Sequence, residues 1–141
     1  MRGRPSSGSH CRCRRAYGWR VRLLLIALAG ACGALARYGV GVGVGERSFP
    51  WATLVINVVG SFLIGLVLTV ATANRWSADV RVPLATGFIG SFTTFSTFAW
   101  EGLGLGRDDR LPGAVAYLGA SVVLGLAAAA LGLGVGTLLS R

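Results

Sequence analysis

A chain of 141 residues that is 53% hydrophobic and only 13% charged is one domain at most, and it belongs among membrane proteins rather than soluble domains. All 14 basic residues are arginine, so P-loop chemistry, Schiff-base chemistry and lysine general bases are excluded. The formal charge of +9 would suit a nucleic-acid binder, but half of the arginines fall in the first 22 residues, directly before an apolar run, where a topology signal is the commoner cause and no nucleic-acid partner is implied.

Residues 1–20 are rich in Arg, Ser and Gly without apolar periodicity, which predicts a disordered tail outside a folded unit spanning 21–141. His10-Cys11-Arg12-Cys13 lacks a second pair of ligands and sits among arginines that repel a cation, so free thiols are expected rather than a metal site. Cys32 makes the cysteine count odd, with no disulfide framework. The tail and the Leu-rich run after it imitate a cleaved signal peptide.

The first predicted span is Val21 to about Gly45, long enough to cross roughly 30 Å of hydrocarbon. Ala27, Gly30, Ala31 and Ala34 fall at i, i+3, i+4 and i+7, a small-residue face for close helix approach. Arg37, in the last third, either snorkels or meets an anion or a helix C-terminus. Gly39, Gly41, Gly43 and Gly45 are expected to loosen the end.

Trp51 to Ala73 is the second span, with Thr53, Asn57 and Ser61 forming one polar stripe at i, i+4 and i+8 that must face protein or water. Asn57 has two N–H donors to offer either an anion or a neighbouring helix. A polar loop over 74–81 precedes the third span, about 82–105, and a turn over 106–110 leads to a fourth, 111–139, with Pro112 in its first turn. Tyr117 and Ser121, four apart, share a face of that last helix, and one turn on stands Gly125 where a further hydroxyl would extend the row.

The third span carries the unusual stretch, Gly87-Phe88-Ile89-Gly90-Ser91-Phe92-Thr93-Thr94-Phe95-Ser96-Thr97-Phe98. Two glycines, five Ser/Thr residues and repeated β-branching predict a broken helix, and a break inside a bilayer survives only where its freed backbone faces protein or a wet cavity. Such breaks are recurrent ion sites. Aromatic ring edges with hydroxyl or amide donors could line a path for a small anion; Phe packing with Ser/Thr back-bonding is the alternative.

Three segments resemble the Fluc (CrcB-type) fluoride channels. Gly87 to Phe98 is similar to the family's third-helix signature, with the core Thr93-Thr94-Phe95-Ser96-Thr97-Phe98 intact. Gly33-Ala34-Leu35-Ala36-Arg37-Tyr38 resembles the end of its first helix, and Trp51 to Asn57 the start of its second. The resemblance covers about residues 21–139 and implies an all-α integral membrane protein with four transmembrane helices, a break in the third, and assembly as an antiparallel dual-topology dimer.

By the same resemblance the protein is expected to be a passive fluoride channel of the inner (plasma) membrane that exports the anion, and not an enzyme. Phe95 and Phe98 would be the pore aromatics, Asn57 a donor beside them, and Thr53, Ser96, Tyr117 and Ser121 a polar track. Arg37 and Glu101 would have vestibule or structural roles. The carbonyls of Gly90 and Thr93 would hold a structural Na⁺ at the dimer centre, with Ser91 and Phe92 departing from the Gly-Leu often found between them.

Two other functions are open to such a chain: a four-span dual-topology cation or drug exporter, disfavoured because none of Glu46, Asp79, Glu101, Asp108 or Asp109 lies mid-span, and a nonconducting subunit or assembly factor. Loop arginines balance at three on each side, Arg75, Arg81 and Arg141 against Arg47, Arg107 and Arg110, as dual topology requires. The tail makes this ten against three. The sequence therefore predicts either a start downstream, near Val21, and a homodimer, or a fixed orientation and pairing with an oppositely inserted homologue.

Overall fold

The computed structural model is all-helical, and it describes residues 9–45, 47–107 and 110–141, with side chains described from Gly18 onward. Three helices are long and apolar enough to cross a membrane, so the chain is a multi-pass membrane protein. These are α1 (Ser9–Val44), α2 (Trp51–Ala73) and α6 (Leu111–Leu139). Between α2 and α6 lie three shorter helices, α3 (Ala78–Val82), α4 (Gly90–Phe92) and α5 (Phe95–Arg107), with a π-helical segment, Pro83–Ile89, joining α3 to α4.

Helix α1 starts at Ser9, well before the Val21 expected from hydropathy. Arginine is a good helix former, so backbone hydrogen bonding continues upstream of the apolar run without needing an apolar face. Residues 1–8 of the expected disordered tail, and the side chains of His10, Cys11 and Cys13, lie outside the described residues. At its other end α1 runs unbroken through Gly39, Gly41 and Gly43, contrary to the loosening expected there. Only Gly45 ends it: its φ of +70° is left-handed, and its amide still donates to the Gly41 carbonyl at 3.0 Å.

The small-residue face of α1 is rotated by about one residue from the expected one. Gly30 and Gly33 do pack, but their neighbours on the buried side are Ile26 and Ala29, whereas Ala27 and Ala31 are exposed. The partner is the π-helical segment: a Cβ at Gly33 would collide with the Phe88 carbonyl, and one at Gly87 would meet Ala29 Cβ and Ile26 O at 2.9 Å. Helices α2 and α6 approach in the same way, with Gly65 against the backbone of Ala129 and Gly132 against that of Phe62.

The segment expected to be a polar loop over 74–81 ends in helix, because α3 starts at Ala78 with Asp79 in its first turn, the favourable end for a carboxylate. Pro83 then follows without an amide proton, which removes one i+4 bond, and the register widens to i+5, as in the Gly90 amide donating to Ala85 O. The helix is lost at Thr93, whose ψ of 158° is extended, and resumes at Phe95. Asp108 and Asp109 of the expected turn, like Glu46, lie outside the described residues.

Two contacts fix which loops share an end of the bundle. Arg110 Nη1 donates to Ser48 O at 2.7 Å, joining the α5–α6 turn to the α1–α2 connection. Arg22 and Asp79 pair at 2.8 Å, joining the N-terminal half of α1 to α3 at the opposite end.

Candidate functional site

Helix α2 reaches the break through its polar stripe. Asn57 Oδ1 accepts the Thr94 amide at 2.9 Å, and Asn57 Nδ2 donates to the Thr94 carbonyl at 3.1 Å. Asn57 thus replaces the helical acceptor that the Thr94 amide has lost, adds a donor to the Thr94 carbonyl at the start of α5, and has one N–H left over. Thr94, only 6% exposed, also starts α5: its Oγ1 accepts the Thr97 amide at 3.3 Å, a threonine N-cap, and donates to Thr97 Oγ1 at 2.9 Å.

The sequence drew attention to Thr94 only as part of the signature. Its use as the hinge of the break could have been found from the spacing Thr94 to Thr97, the N-cap to N3 interval. Gly60, just under one turn beyond Asn57, has no room for a Cβ because the Thr93 side chain fills that space. The break therefore rests on a notch in α2.

Beside the break is a cavity of about 380 Å³ with Asn57, Ser61, Phe95, Phe98 and Ser121 in its wall, together with Gly90 and Thr93. Among the described residues no charged side chain lines it. Phe95 is 80% exposed at its rim and lies 5.7 Å from Phe98, centroid to centroid, with the rings tilted by 47°. Ser121 Oγ is buried and has no hydrogen-bond partner among the described residues. The amides that open α5 add the positive end of a helix dipole at the same wall.

Not all of the predicted track gathers here. Ser96 is exposed and lies outside the cavity wall, its Oγ 3.5 Å from Thr94 Oγ1. Thr53 and Tyr117 are buried and turn instead to Glu101: Thr53 donates to Oε1 at 2.9 Å and Tyr117 to Oε2 at 2.7 Å. Glu101 lies mid-way along α5 and is half-buried, with both carboxylate oxygens satisfied by hydroxyls. Tyr117 packs on Phe98 at 5.4 Å, so the hydroxyl cluster and the cavity touch through one aromatic contact.

On the far side of Glu101 a second cavity, about 560 Å³, opens toward the α1–α2 connection and includes Arg47, Trp51 and Arg110. The order from one side to the other is thus second cavity, Thr53–Glu101–Tyr117, Phe98, first cavity. Ser61, absent from the predicted set, belongs to the first wall. A Cβ on Gly125 would stand 3.5 Å from Ser61 Oγ, so α2 supplies a hydroxyl where α6 lacks one.

Arg37 lies outside the cavity wall and reaches the break from α1, with Nη1 3.4 Å from Thr93 O. The Gly90 carbonyl would be the helical acceptor of the Thr94 amide, which Asn57 has taken. That carbonyl is thereby available to another donor or to a hard cation.

Residues 24–133 match the family described as "CrcB-like protein, Camphor Resistance (CrcB)". A protein of Acidobacterium capsulatum named Fluoride-specific ion channel FluC is 49% identical over 120 residues, which are 82% of this chain and 96% of that protein. Its namesake from Solidesulfovibrio magneticus is 48% identical over 123 residues, 84% of this chain and 98% of the relative. Another of the same name, from Thermus thermophilus, is 44% identical over 114 residues, 79% and 90% of the two chains. With most of its length aligned at such identities, and with the helix break and its glycine packing inside the matched region, the chain belongs to the CrcB-like family.

Proposed function

We propose that this protein is a passive, fluoride-selective channel that lets the anion leave the cell. The observation that carries the reading is the cavity beside the break: two tilted phenylalanines, a leftover Asn57 donor and a Ser121 hydroxyl without a partner among the described residues, with no fixed charge in the described wall. Fixed ring edges and O–H or N–H donors can replace the water around a small hard anion, while a larger halide meets the same spacing poorly. A wall without charge binds weakly enough to release the ion. The relatives named as fluoride-specific channels support the same reading.

In this reading Phe95 and Phe98 face the ion, Asn57 and Ser121 donate to it, and Thr53, Tyr117 and Ser96 guide it, with Glu101 holding two of those hydroxyls in place. Residues 78–107 make a fourth crossing, broken at Thr93 and Thr94. The exposed rim residue Phe95 and the exposed Ala27 and Ala31 suit a second subunit inserted the other way up, either an identical chain or an oppositely oriented homologue. The cell's inner membrane is the expected location.

A structural Na⁺ fits the break. The Gly90 carbonyl has lost its helical amide, and Thr93 O, with its one long contact to Arg37, keeps a lone pair. Carbonyls of these two residues from each of two subunits would hold the ion, which would supply a fixed positive charge that cross-links the breaks. The test of the channel reading is the double substitution Phe95→Ile with Phe98→Ile. It is expected to abolish fluoride flux through reconstituted protein while leaving its assembly intact; unchanged flux would show that the aromatics are packing only.

A further inference from the structure

The break takes two carbonyls away from their helical amides. In a continuous helix the Gly90 carbonyl would accept the Thr94 amide, and the Thr93 carbonyl the Thr97 amide. Asn57 Oδ1 takes the first of these amides at 2.9 Å, and Thr94 Oγ1 takes the second at 3.3 Å. The extended ψ of Thr93, 158°, also turns its carbonyl out of the helical row. Inside a membrane protein a carbonyl without a donor is costly, so each needs a substitute.

Arg37 reaches one of the two. Gly33, one turn earlier in α1, lets that helix ride directly on the Phe88 carbonyl, and this close approach carries Arg37 to the break. Its Nη1 lies 3.4 Å from Thr93 O, a long hydrogen bond and the one that the Arg37 side chain makes among the described residues. Arg37 is half-buried, lies outside the wall of the cavity beside the break, and has no carboxylate within 4 Å among the described residues. A guanidinium keeps its proton in a protein, so a full positive charge stands at this carbonyl. Gly90, in contrast, is exposed, and its carbonyl accepts no side-chain donor among the described residues.

We infer, resting on the sodium reading above, that Arg37 opposes sodium at the break, because its guanidinium holds one lone pair of the same carbonyl oxygen that would ligate the ion. Two cations then share one oxygen. Like unit charges ~5 Å apart oppose each other by more than about a hundredfold in an equilibrium constant at an effective dielectric constant of ~20. Neutral carbonyls suit a hard cation but bring no charge of their own to offset that opposition. Sodium is therefore held loosely and exchanges, and the stability of the break follows the sodium concentration around the protein.

The test uses the full chain in detergent at fixed protein concentration. Sodium chloride is exchanged for N-methyl-D-glucamine chloride at constant ionic strength, and unfolding is followed by tryptophan fluorescence. An ion that binds the folded state raises the midpoint temperature once its concentration passes the dissociation constant. Arg37→Gln and Arg37→Met remove the charge and should move the onset of that rise to sodium concentrations at least about tenfold lower. Arg37→Lys keeps the charge and should keep the onset within about threefold of the unsubstituted chain. An onset shared by all four chains overturns the inference and leaves the sodium reading standing, as does a lysine variant that behaves like the neutral ones. An onset raised by the neutral variants overturns it in favour of Arg37 presenting the carbonyl to the ion. A midpoint indifferent to sodium in every chain overturns the sodium reading and the inference together. Neutral variants that fold at no sodium concentration also overturn it, because an ion freed of its antagonist should hold the break without Arg37.

Discussion

Asn57 and Thr94, 37 residues apart, are joined by two hydrogen bonds of 2.9 and 3.1 Å that use both sides of one amide and both backbone groups of one residue. The pairing holds the helix break open, because any return of the Thr94 amide to its helical acceptor would strand Asn57 in an apolar helix. Asn57→Asp keeps the acceptor but aims a second oxygen at the Thr94 carbonyl. It should cost about 2 kcal/mol or more, the order expected when a buried group loses its partner. Thermal unfolding in detergent measures this, with Asn57→Gln expected to be nearly as damaging because its longer stem misplaces both bonds.

Ser61 and Gly125 divide the job of one hydroxyl. Ser61→Ala should lower fluoride flux by about tenfold, the equivalent of one net hydrogen bond of ~1.4 kcal/mol. Gly125→Ser in that background should return most of it, since the one atom found within 4 Å of a Cβ at Gly125 is Ser61 Oγ, at 3.5 Å, which Ser61→Ala removes. Flux measured for the three chains in liposomes decides whether the hydroxyl or its helix of origin matters.

Tyr117 and Thr53 satisfy separate oxygens of Glu101. Tyr117→Phe leaves Oε2 of a half-buried carboxylate without its donor and should destabilise the fold by about 1–3 kcal/mol. Thr53→Val should have a similar effect, and the double variant should cost less than the sum, since both act through one carboxylate. A double-mutant cycle on midpoint temperatures checks the coupling; strict additivity would mean the two hydroxyls act independently.

Glycines on one helix should differ sharply. Gly33→Ala pushes a methyl into the Phe88 carbonyl and should destabilise by about 1–3 kcal/mol. Gly39→Ala, with nothing within 4 Å, should stabilise α1 by up to about 1 kcal/mol. Unfolding curves of the two variants under one condition provide the comparison.

Much of this architecture was legible along the chain because it depends on local composition. The bounds of α2 and α6 follow from apolar runs that begin beside Pro50 and at Leu111-Pro112, and the break follows from a cluster of Gly, Thr and Ser. What was not legible depends on rotation and on distant partners. Whether Ala27 or Ile26 turns inward is fixed by how α1 seats on Phe88, and a one-residue rotation leaves the periodicity unchanged. The same holds at the site. Phe95, Phe98, Asn57 and Ser121 share a cavity, but Thr53 and Tyr117 turn to Glu101, whose position between that cavity and the second one no local pattern reveals. Continuous helix through Gly39, Gly41 and Gly43 was hidden because a few glycines in a long apolar helix are tolerated where no water competes for the backbone.

The most direct measurement is fluoride efflux, read with an ion-selective electrode, from liposomes holding this chain alone, with chloride efflux from the same vesicles as control. Rapid fluoride release is expected, with no chloride release above that of protein-free vesicles. Equal release of both anions would contradict a wall selective for a small hard anion, and release of neither, even when an oppositely oriented homologue is co-reconstituted, would contradict the channel itself.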